Sequence, residues 1–321
     1  MTTSTFAQET ILPDEAALTA DFISFLKAAS ARRYPTGTIR RFNQGRHAGC
    51  VVGELTVLDN LPTDLRVGLF AQAGTYQAWI RFASASSETD RERDVRGMSI
   101  SLSGVPGENL TPGETKQDFV LNSHPVMVAG NTRDFLELLR AIDAGGLRSA
   151  LYFLSHPQSA RVGFTARQNP ASHLDIMYWS TTPYLFGAGR AVKYIVRPSS
   201  AHKSGKPVHL TDNYLHEALK AHLDQFEASF DFMIQFQTDS RTMPIEDAMV
   251  EWSERDSPYV PVARIRMPRQ NILEAGRMQR CEEVAFNPWH SLVPHRPLGS
   301  LNRARREIYA AMAAFRHERQ P

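Results

Sequence analysis

Apolar and polar residues alternate along much of the chain between residues 50 and 267, with the two-residue period of a β-strand. Stretches rich in Gly, Pro and Ser separate seven segments of this kind. The segments are CVVGELTV from 50, QAWIRFAS from 77, MSISLSG from 98, DFVLNSHPVMV from 118, AVKYIVR from 191, FDFMIQFQ from 230 and PVARIRM from 261. Seven such runs predict a closed or strongly curled sheet.

Helical spacing of apolar residues marks the two ends of the chain and two internal segments. An amphipathic helix is predicted within the first 30 residues, from 14 onward, and a second one over 132–143, ended by Gly145 and Gly146. The segment 213–228 has a weaker helical pattern, and 302–318 is an Ala-rich helix without Gly or Pro.

Two polar stretches, 104–116 and 198–207, read as loops within one unit and not as domain linkers. The sequence contains no internal repeat and no low-complexity tract. We therefore expect residues 1–321 to form a single α+β domain with a helical C-terminal tail.

The charge of the chain is nearly balanced, with 36 Lys and Arg against 34 Asp and Glu, a net charge of +2. This balance gives no broad electrostatic reason to bind nucleic acid or an anionic membrane. Cys50 and Cys281 lie far apart in sequence and outside any metal-binding motif, which argues against a disulfide or a zinc site and favours a reducing compartment. With neither a signal-peptide pattern nor a long apolar span, we expect a cytoplasmic protein that does not insert into a membrane.

The C-terminal helix carries a stripe of chemically suggestive residues. Arg305, Tyr309, Met312 and Arg316 follow the spacing i, i+4, i+7, i+11, so they share one helix face. A cation near a phenol favours the phenolate, which is a suitable ligand for ferric iron. Taken alone, the same stripe also fits a solvated surface helix.

Five motifs in chain order together resemble the catalase family. They are RHAGCVVGELTV at 46–57, the run IRFAS to RDVRG within 80–97, DFVLNSHPVM at 118–127, EEVAFNP at 282–288, and Arg305-x-x-x-Tyr309 with Arg316 beyond it. The resemblance covers about residues 40–320 and is loose over 140–280. It implies a catalase-like antiparallel β-barrel with surrounding helices, a C-terminal haem-ligand helix, and haem b as the cofactor. The chain resembles the small catalase-related branch in particular.

The resemblance also assigns roles. Tyr309 is expected to bind the haem iron, with Arg305 keeping the phenol ionised. His47 is expected to take a proton from a peroxide and return it to the leaving oxygen, and Asn122 to orient the peroxide by a hydrogen bond.

Arg81 and Arg316 are expected to neutralise the haem propionates, and Met312 to contact the cofactor. Asp94 matches either a channel acid or a salt-bridged loop residue. His124 is expected to be structural.

Four positions depart from the family pattern. Gln44 replaces an arginine, so a propionate contact is lost or taken over by Arg41 or Arg46. The hydroxyl that holds the distal histidine falls on Ala83, with Ser84 beside it. Arg46 could attract a carboxylate-bearing substrate or point away, and Met127 replaces an aromatic residue.

These departures favour a haem peroxidase that reduces organic hydroperoxides and hydrogen peroxide, using a small-molecule electron donor, with weak catalase activity. The alternatives are a fatty-acid hydroperoxide lyase or isomerase of the allene oxide synthase type, a conventional catalase, and a non-enzymatic haem-binding protein. Whether the chain forms a homo-oligomer is left open.

Overall fold

A computed structural model describes residues 6–37 and 39–318. Eight strands pair in antiparallel fashion around a closed ring, β5-β4-β3-β2-β1-β9-β8-β7, which β5 and β7 close. A further short strand, β6, pairs with β7. The strands are β1 Arg46–Val57, β2 Gly74–Ser84, β3 Arg96–Leu102, β4 Gln117–Asn122, β5 Tyr178–Trp179, β6 Tyr184–Leu185, β7 Ala191–Pro198, β8 Ala228–Phe236 and β9 Val260–Met267. The predicted β-barrel is therefore confirmed.

The alternating pattern located all of the long strands, with one difference at the end of β4. This strand ends at Asn122. The alternating pattern predicted that it would continue to residue 128, but residues 123–128 are not part of the sheet. Pro125 lies in this segment and has no backbone N–H to donate to a ladder. The strands β5 and β6 are two residues long each, too short to produce a recognisable alternation.

Seven helices surround the barrel in the described part of the chain. They are α1 Glu15–Arg33, α2 Thr132–Ala144, α3 Gly146–Ser155, α4 Pro157–Thr165, α5 Tyr214–Gln225, α6 Arg277–Glu283 and α7 Ser300–His317. The predicted N-terminal, 132–143, 213–228 and C-terminal helices are confirmed, although residues 1–5 lie outside the described residues. The sequence prediction missed α3, α4 and α6.

The barrel interior is filled by large apolar and aromatic side chains. Phe119 packs edge-on against Phe232, with ring centroids 4.7 Å apart, and against Tyr194 at 4.9 Å. All three are fully buried. Burial of each such ring removes enough apolar area from water to stabilise the fold by about 2–3 kcal/mol.

A buried ion-pair network ties the N-terminal segment to α7. The guanidinium of Arg303 contacts three carboxylates, those of Glu9 at 2.6 Å, Glu15 at 2.9 Å and Glu246 at 2.9 Å. These contacts raise the pKa of Arg303 against the opposing effect of burial. The network positions α1 along the helix that carries Tyr309.

The expectation of two unpaired cysteines is wrong. Cys50 on β1 and Cys281 on α6 form a disulfide, with their Cα atoms 6.1 Å apart although 231 residues separate them in sequence. The chain segment after β9 returns α6 to the outside of β1, and no local pattern could have shown this. The argument for a reducing compartment, which rested on the absence of a disulfide, therefore falls away.

Within residues 6–37 and 39–318, no helix combines the length and the apolar character needed to cross a membrane.

Candidate active site

Two of the predicted site residues lie in one row across four neighbouring strands. His47 on β1 pairs with Ala83 on β2, Ala83 pairs with Gly97 on β3, and Gly97 pairs with Asn122 on β4. Directly paired residues point to the same face of a sheet. The row therefore presents an imidazole and an amide on one face, separated by two of the smallest residues.

The strand geometry around His47 is irregular. A bulge between His47 and Gly49 re-aims the start of β1. A Cβ on Gly49 would lie 2.6 Å from Leu219, so the glycine allows α5 to approach the strand closely. From α5, His216 Nδ1 makes a 2.7 Å hydrogen bond with the carbonyl oxygen of Ala48.

The imidazole of His47 is held loosely and stays neutral. Burial and the nearby Arg81 lower its pKa from the usual 6.5, so it can accept a proton at neutral pH. Its Nδ1 is buried without a hydrogen-bond partner. Ala83 has no hydroxyl to offer, and the Ser84 hydroxyl accepts a hydrogen bond from Arg96 instead. The expected loss of the histidine's hydroxyl partner is thus seen in the geometry.

Asn122 is oriented by a residue whose role the sequence did not reveal. Gln44 Nε2 donates a 3.1 Å hydrogen bond to Asn122 Oδ1, which leaves Asn122 Nδ2 as the group that can donate to a ligand. Gln44 adopts a left-handed backbone conformation, with φ +60°. A Cβ on Gly97 would lie 2.0 Å from Gln44 Oε1, so only glycine leaves room for this side chain.

Three guanidinium groups converge on a single carboxylate near His47. Arg41 makes a 2.6 Å ion pair with Glu282, and Arg81 lies 3.6 Å from the same residue. Arg316 is close enough to Arg41 and Glu282 to interact with both electrostatically. Three positive charges against one negative charge leave an excess of two.

This arginine cluster, defined as Arg41, Arg81 and Arg316, is short of negative partners. Arg81 Nε and Arg316 Nη1 are buried without hydrogen-bond partners, and the two residues are 2% and 6% exposed. Burial and the neighbouring Arg41 lower the pKa of Arg81 to about 9 and that of Arg316 to about 10. Such unpaired buried cations call for an anionic ligand.

The sequence predicted Arg41 as one substitute for the arginine that Gln44 replaces. It did not identify Glu282, the carboxylate that Arg41 and Arg81 contact, as a site residue. The only signal for Glu282 was its position in the EEVAFNP motif.

The C-terminal helix places Tyr309 near the arginine cluster. Tyr309 is half-buried and close enough to Arg41 for the two groups to interact electrostatically. Arg305, one turn earlier, donates hydrogen bonds to Asn302 Oδ1 at 3.0 Å and to Thr182 Oγ1 at 3.2 Å. Met312, one turn later, packs with the apolar residues of α1 and α2.

Three further sequence candidates lie outside this arrangement. Arg46 points away from the row, because its guanidinium pairs with Asp90 at 3.1 Å and bonds Asn213 at 2.8 Å. Of the two alternatives given for Arg46, this geometry matches the one in which the side chain points away. Asp94 accepts hydrogen bonds from the backbone N–H groups of Ser86 and Ser87, which is the loop role. His124 bonds the Val126 carbonyl oxygen within its own turn, as expected of a structural residue.

The residues fit a planar, dianionic cofactor such as haem. The excess of two positive charges in the arginine cluster matches two propionates, and the unpartnered Arg81 Nε and Arg316 Nη1 can bond them. Between the predicted distal and proximal residues lies Met127, whose sulfur is 3.9 Å from Asn122 Nδ2 and 4.0 Å from Arg305 Nη2. An unbranched thioether adapts readily. In residues 6–37 and 39–318 no three His, Cys, Asp or Glu side chains are grouped so that they could hold a metal ion.

No protein-family model matches the sequence, and no curated protein matches it either. Solved structures do match. They include a bacterial catalase with TM-score 0.67 and 16% identity, a fungal catalase with 0.68 and 16%, and catalase A from Saccharomyces cerevisiae with 0.70 and 17%.

These matches cover 98%, 97% and 98% of this chain, but only 63%, 64% and 68% of the three catalases, so the chain spans about two thirds of their length. At this identity the likeness concerns the fold alone. The barrel with its surrounding helices is therefore the catalase fold.

Proposed function

We propose that this chain is a haem-dependent peroxidase that reduces organic hydroperoxides and hydrogen peroxide and has weak catalase activity. The observation that carries the proposal is the arginine cluster beside His47, with its excess of two buried positive charges. The cluster combines buried guanidinium atoms that lack partners with an excess of positive charge, and a site for a dianionic cofactor needs both.

Haem, when bound, supplies the redox-active iron at which the O–O bond of a peroxide is cleaved. In this proposal Tyr309 binds the iron, and Arg41, Arg81 and Arg316 hold the propionates. Arg41 lies close enough to Tyr309 for an electrostatic interaction, which supports giving Arg41 part of the role first given to Arg305.

His47 and Asn122 act on the substrate. The neutral imidazole of His47 accepts the peroxide proton and then delivers it to the oxygen that leaves, which is general base followed by general acid catalysis. Asn122 donates through Nδ2, because Gln44 occupies Oδ1. The amide fixes the orientation of the peroxide while the proton moves.

The missing hydroxyl at Ala83 favours peroxidation over dismutation. Nδ1 of His47 has no hydrogen-bond partner, so no such bond selects its tautomer. Dismutation places two peroxides in turn against this imidazole. Peroxidation needs it for one cleavage, after which a small organic donor returns the electrons.

The cofactor assignment is tested by the absorption spectrum of the haem-loaded protein. Wild-type protein is expected to bind haem with a high-spin ferric spectrum of tyrosinate ligation, and Tyr309→Phe to lose this spectrum or the haem. His47→Ala should keep the haem and lose at least ~10²-fold in the rate of peroxide cleavage. An unchanged spectrum in Tyr309→Phe, or an unchanged rate in His47→Ala, would show that these assignments are wrong.

The reaction is tested by comparing oxygen release from hydrogen peroxide with dye oxidation by cumene hydroperoxide. Ala83→Ser offers Nδ1 a hydroxyl from the paired position and is expected to raise the ratio of oxygen release to dye oxidation. Ala83→Cys is the control of similar size with a weak hydrogen-bonding group, and it should leave the ratio unchanged.

Wild-type oxygen release at the rate of a dedicated catalase would overturn the peroxidase assignment. Consumption of a fatty-acid hydroperoxide without oxidation of a donor would indicate a rearrangement enzyme instead.

A further inference from the structure

A cluster of exposed apolar side chains covers the helices between β4 and β5. Twelve large apolar residues are exposed in the described part of the chain, and five of them lie between residues 142 and 164. Leu147, Leu154 and Phe164 are 76%, 79% and 72% exposed, and Leu151 and Ile142 are about half exposed. We call these five residues the α3–α4 surface. Contiguous exposed apolar surface of this kind marks an interaction site.

The spacing of the leucines along α3 places them on its exposed face. Leu147, Leu151 and Leu154 follow the i, i+4, i+7 spacing and share one face, while Tyr152 on the opposite face is buried. The ring of Tyr152 stacks on His156 at 4.1 Å, and its hydroxyl donates to the Asp134 carbonyl oxygen. The helix is therefore anchored by one face and leaves an apolar ridge on the other.

The charged residues of α3, of α4 and of the turn that follows α4 are all arginines. No Asp or Glu occurs from 144 to 174, whereas Arg148, Arg161 and Arg167 do. None of these three arginines forms an ion pair with an acidic side chain of the described residues, and Arg93 adds a fourth guanidinium 5.6 Å from the Phe164 ring. Of the acidic residues on the neighbouring helix α2, Asp143 pairs with Arg32, and Glu137 is exposed in the neighbourhood of Tyr152.

We propose that the α3–α4 surface docks the protein on an anionic lipid bilayer. Protruding leucine and phenylalanine side chains flanked by unpaired arginines have the composition of an interfacial membrane anchor. Each arginine near an anionic surface contributes about fivefold in affinity. A second copy of the chain fits less well, since a two-fold contact through this surface would bring Arg148 and Arg161 of both copies together without carboxylates. The net charge of +2 for the whole chain does not reveal this local match between arginines and an anionic bilayer.

The helix α4 links this surface to the segment that follows Asn122. Val162 of α4 packs against Val126, the residue before Met127 in the segment that follows Asn122. Docking would thus hold this side of the site against a source of lipid hydroperoxides. That link to the substrate rests on the proposed function, whereas docking itself does not.

Docking is tested by co-sedimentation of the protein with vesicles of phosphatidylcholine alone and with a minority of phosphatidylglycerol. Wild-type protein is expected to bind the anionic vesicles, less so at high salt. Leu147→Ser/Leu154→Ser should weaken binding at least about tenfold, and Arg148→Gln/Arg161→Gln should weaken it on anionic vesicles by about the same amount or more. The controls Val208→Ser/Leu273→Ser and Arg241→Gln/Arg255→Gln change equally exposed residues elsewhere and should have no effect.

Absence of wild-type binding to anionic vesicles, or equal losses in the controls, would overturn the proposal. Sedimentation velocity without lipid gives a further test, because an oligomer that Leu147→Ser/Leu154→Ser dissociates would show that a second copy covers the surface. The substrate link is separate: the leucine variant should lose activity on vesicle-embedded lipid hydroperoxide and keep it on cumene hydroperoxide. Wild-type protein that binds the anionic vesicles but reduces neither hydroperoxide would count against the peroxidase proposal and not against docking.

Discussion

Breaking the Cys50–Cys281 disulfide is expected to lower the free energy of unfolding more than any single contact in the barrel could. The bond joins β1 to α6 across 231 residues of sequence and closes a loop through most of the chain. A cross-link of this kind acts chiefly on the unfolded state, whose conformational freedom it restricts.

The magnitude follows from the loop length. For a loop of this size the chain-entropy relation gives a loss of about 18 cal/mol/K in the unfolded state, or about 5 kcal/mol at 25 °C. Residual structure in the unfolded chain reduces this value, so about 5 kcal/mol is the upper end of the expected range. Both sulfur atoms belong to fully buried residues, so a reductant reaches them mainly through unfolding.

The measurement is urea unfolding followed by tryptophan fluorescence, with samples equilibrated with and without a phosphine reductant. Reduction should lower the midpoint and steepen the urea dependence, because the uncrosslinked chain exposes more surface on unfolding. The double variant Cys50→Ala/Cys281→Ala should match the reduced protein and give no response to reductant. An unchanged midpoint after confirmed reduction would refute the entropic reasoning, and two titratable thiols in the untreated unfolded protein would refute the bond itself.

Three further outcomes are expected. Burial lowers the pKa of His173 to about 3 and that of His295 to about 4. Since both residues have a pKa of about 6.5 in the unfolded chain, the stability that they contribute is fully present above pH ~6.5 and is lost as the pH falls below it. About 5 kcal/mol of the free energy of unfolding should be lost at about pH 4.5, which urea midpoints measure. A flat profile between pH 8 and 5 would contradict this. Arg303→Met should destabilise the fold by about 3–5 kcal/mol, because Glu15 and Glu246 lose their cation and Glu9 keeps only Arg296. Arg264→Met at an exposed pair should cost less than about 1 kcal/mol, and melting temperatures compare the two variants. Peroxidase activity should persist as pH falls through 6.5, the ordinary pKa of histidine, because burial and Arg81 lower the pKa of His47 and keep the base neutral there. A pH–rate profile that already declines at neutral pH would contradict this direction.

The barrel was predictable because its strands obey a local rule. A strand with one face in the core alternates apolar and polar residues, so β1, β2 and β9 can be located from the sequence alone. The short strands β5 and β6 exist only because β7 offers them backbone partners. The helices α3 and α4 were missed because Gly145, Gly146 and Pro157 read as loop signals, and because the leucines of α3 face outward.

The site was predictable only as far as its motifs extend. The placement of His47 and Asn122 in one row follows from strand register, which the motif order implied but did not specify. The contact of Gln44 with Asn122 depends on a left-handed backbone and on the absence of a side chain at Gly97. No spacing in the sequence encodes such a contact. For the same reason Arg46 could be read as a substrate anchor, whereas its partner Asp90 lies 44 residues away.

The disulfide and the arginine cluster belong to one mechanical unit. Cys281 immediately precedes Glu282, and Cys50 lies three residues after His47. The disulfide therefore fixes the Glu282 carboxylate relative to β1, the strand that carries His47. Glu282 is the anion within reach of Arg41 and Arg81, and without it the guanidiniums would repel one another in a buried setting. A carboxylate held in this way keeps the arginines gathered before any dianionic ligand arrives. The affinity for that ligand is then higher, because binding does not have to order the arginine side chains. Reduction of the bond should therefore weaken haem retention in the folded protein, in addition to its effect on the unfolded chain.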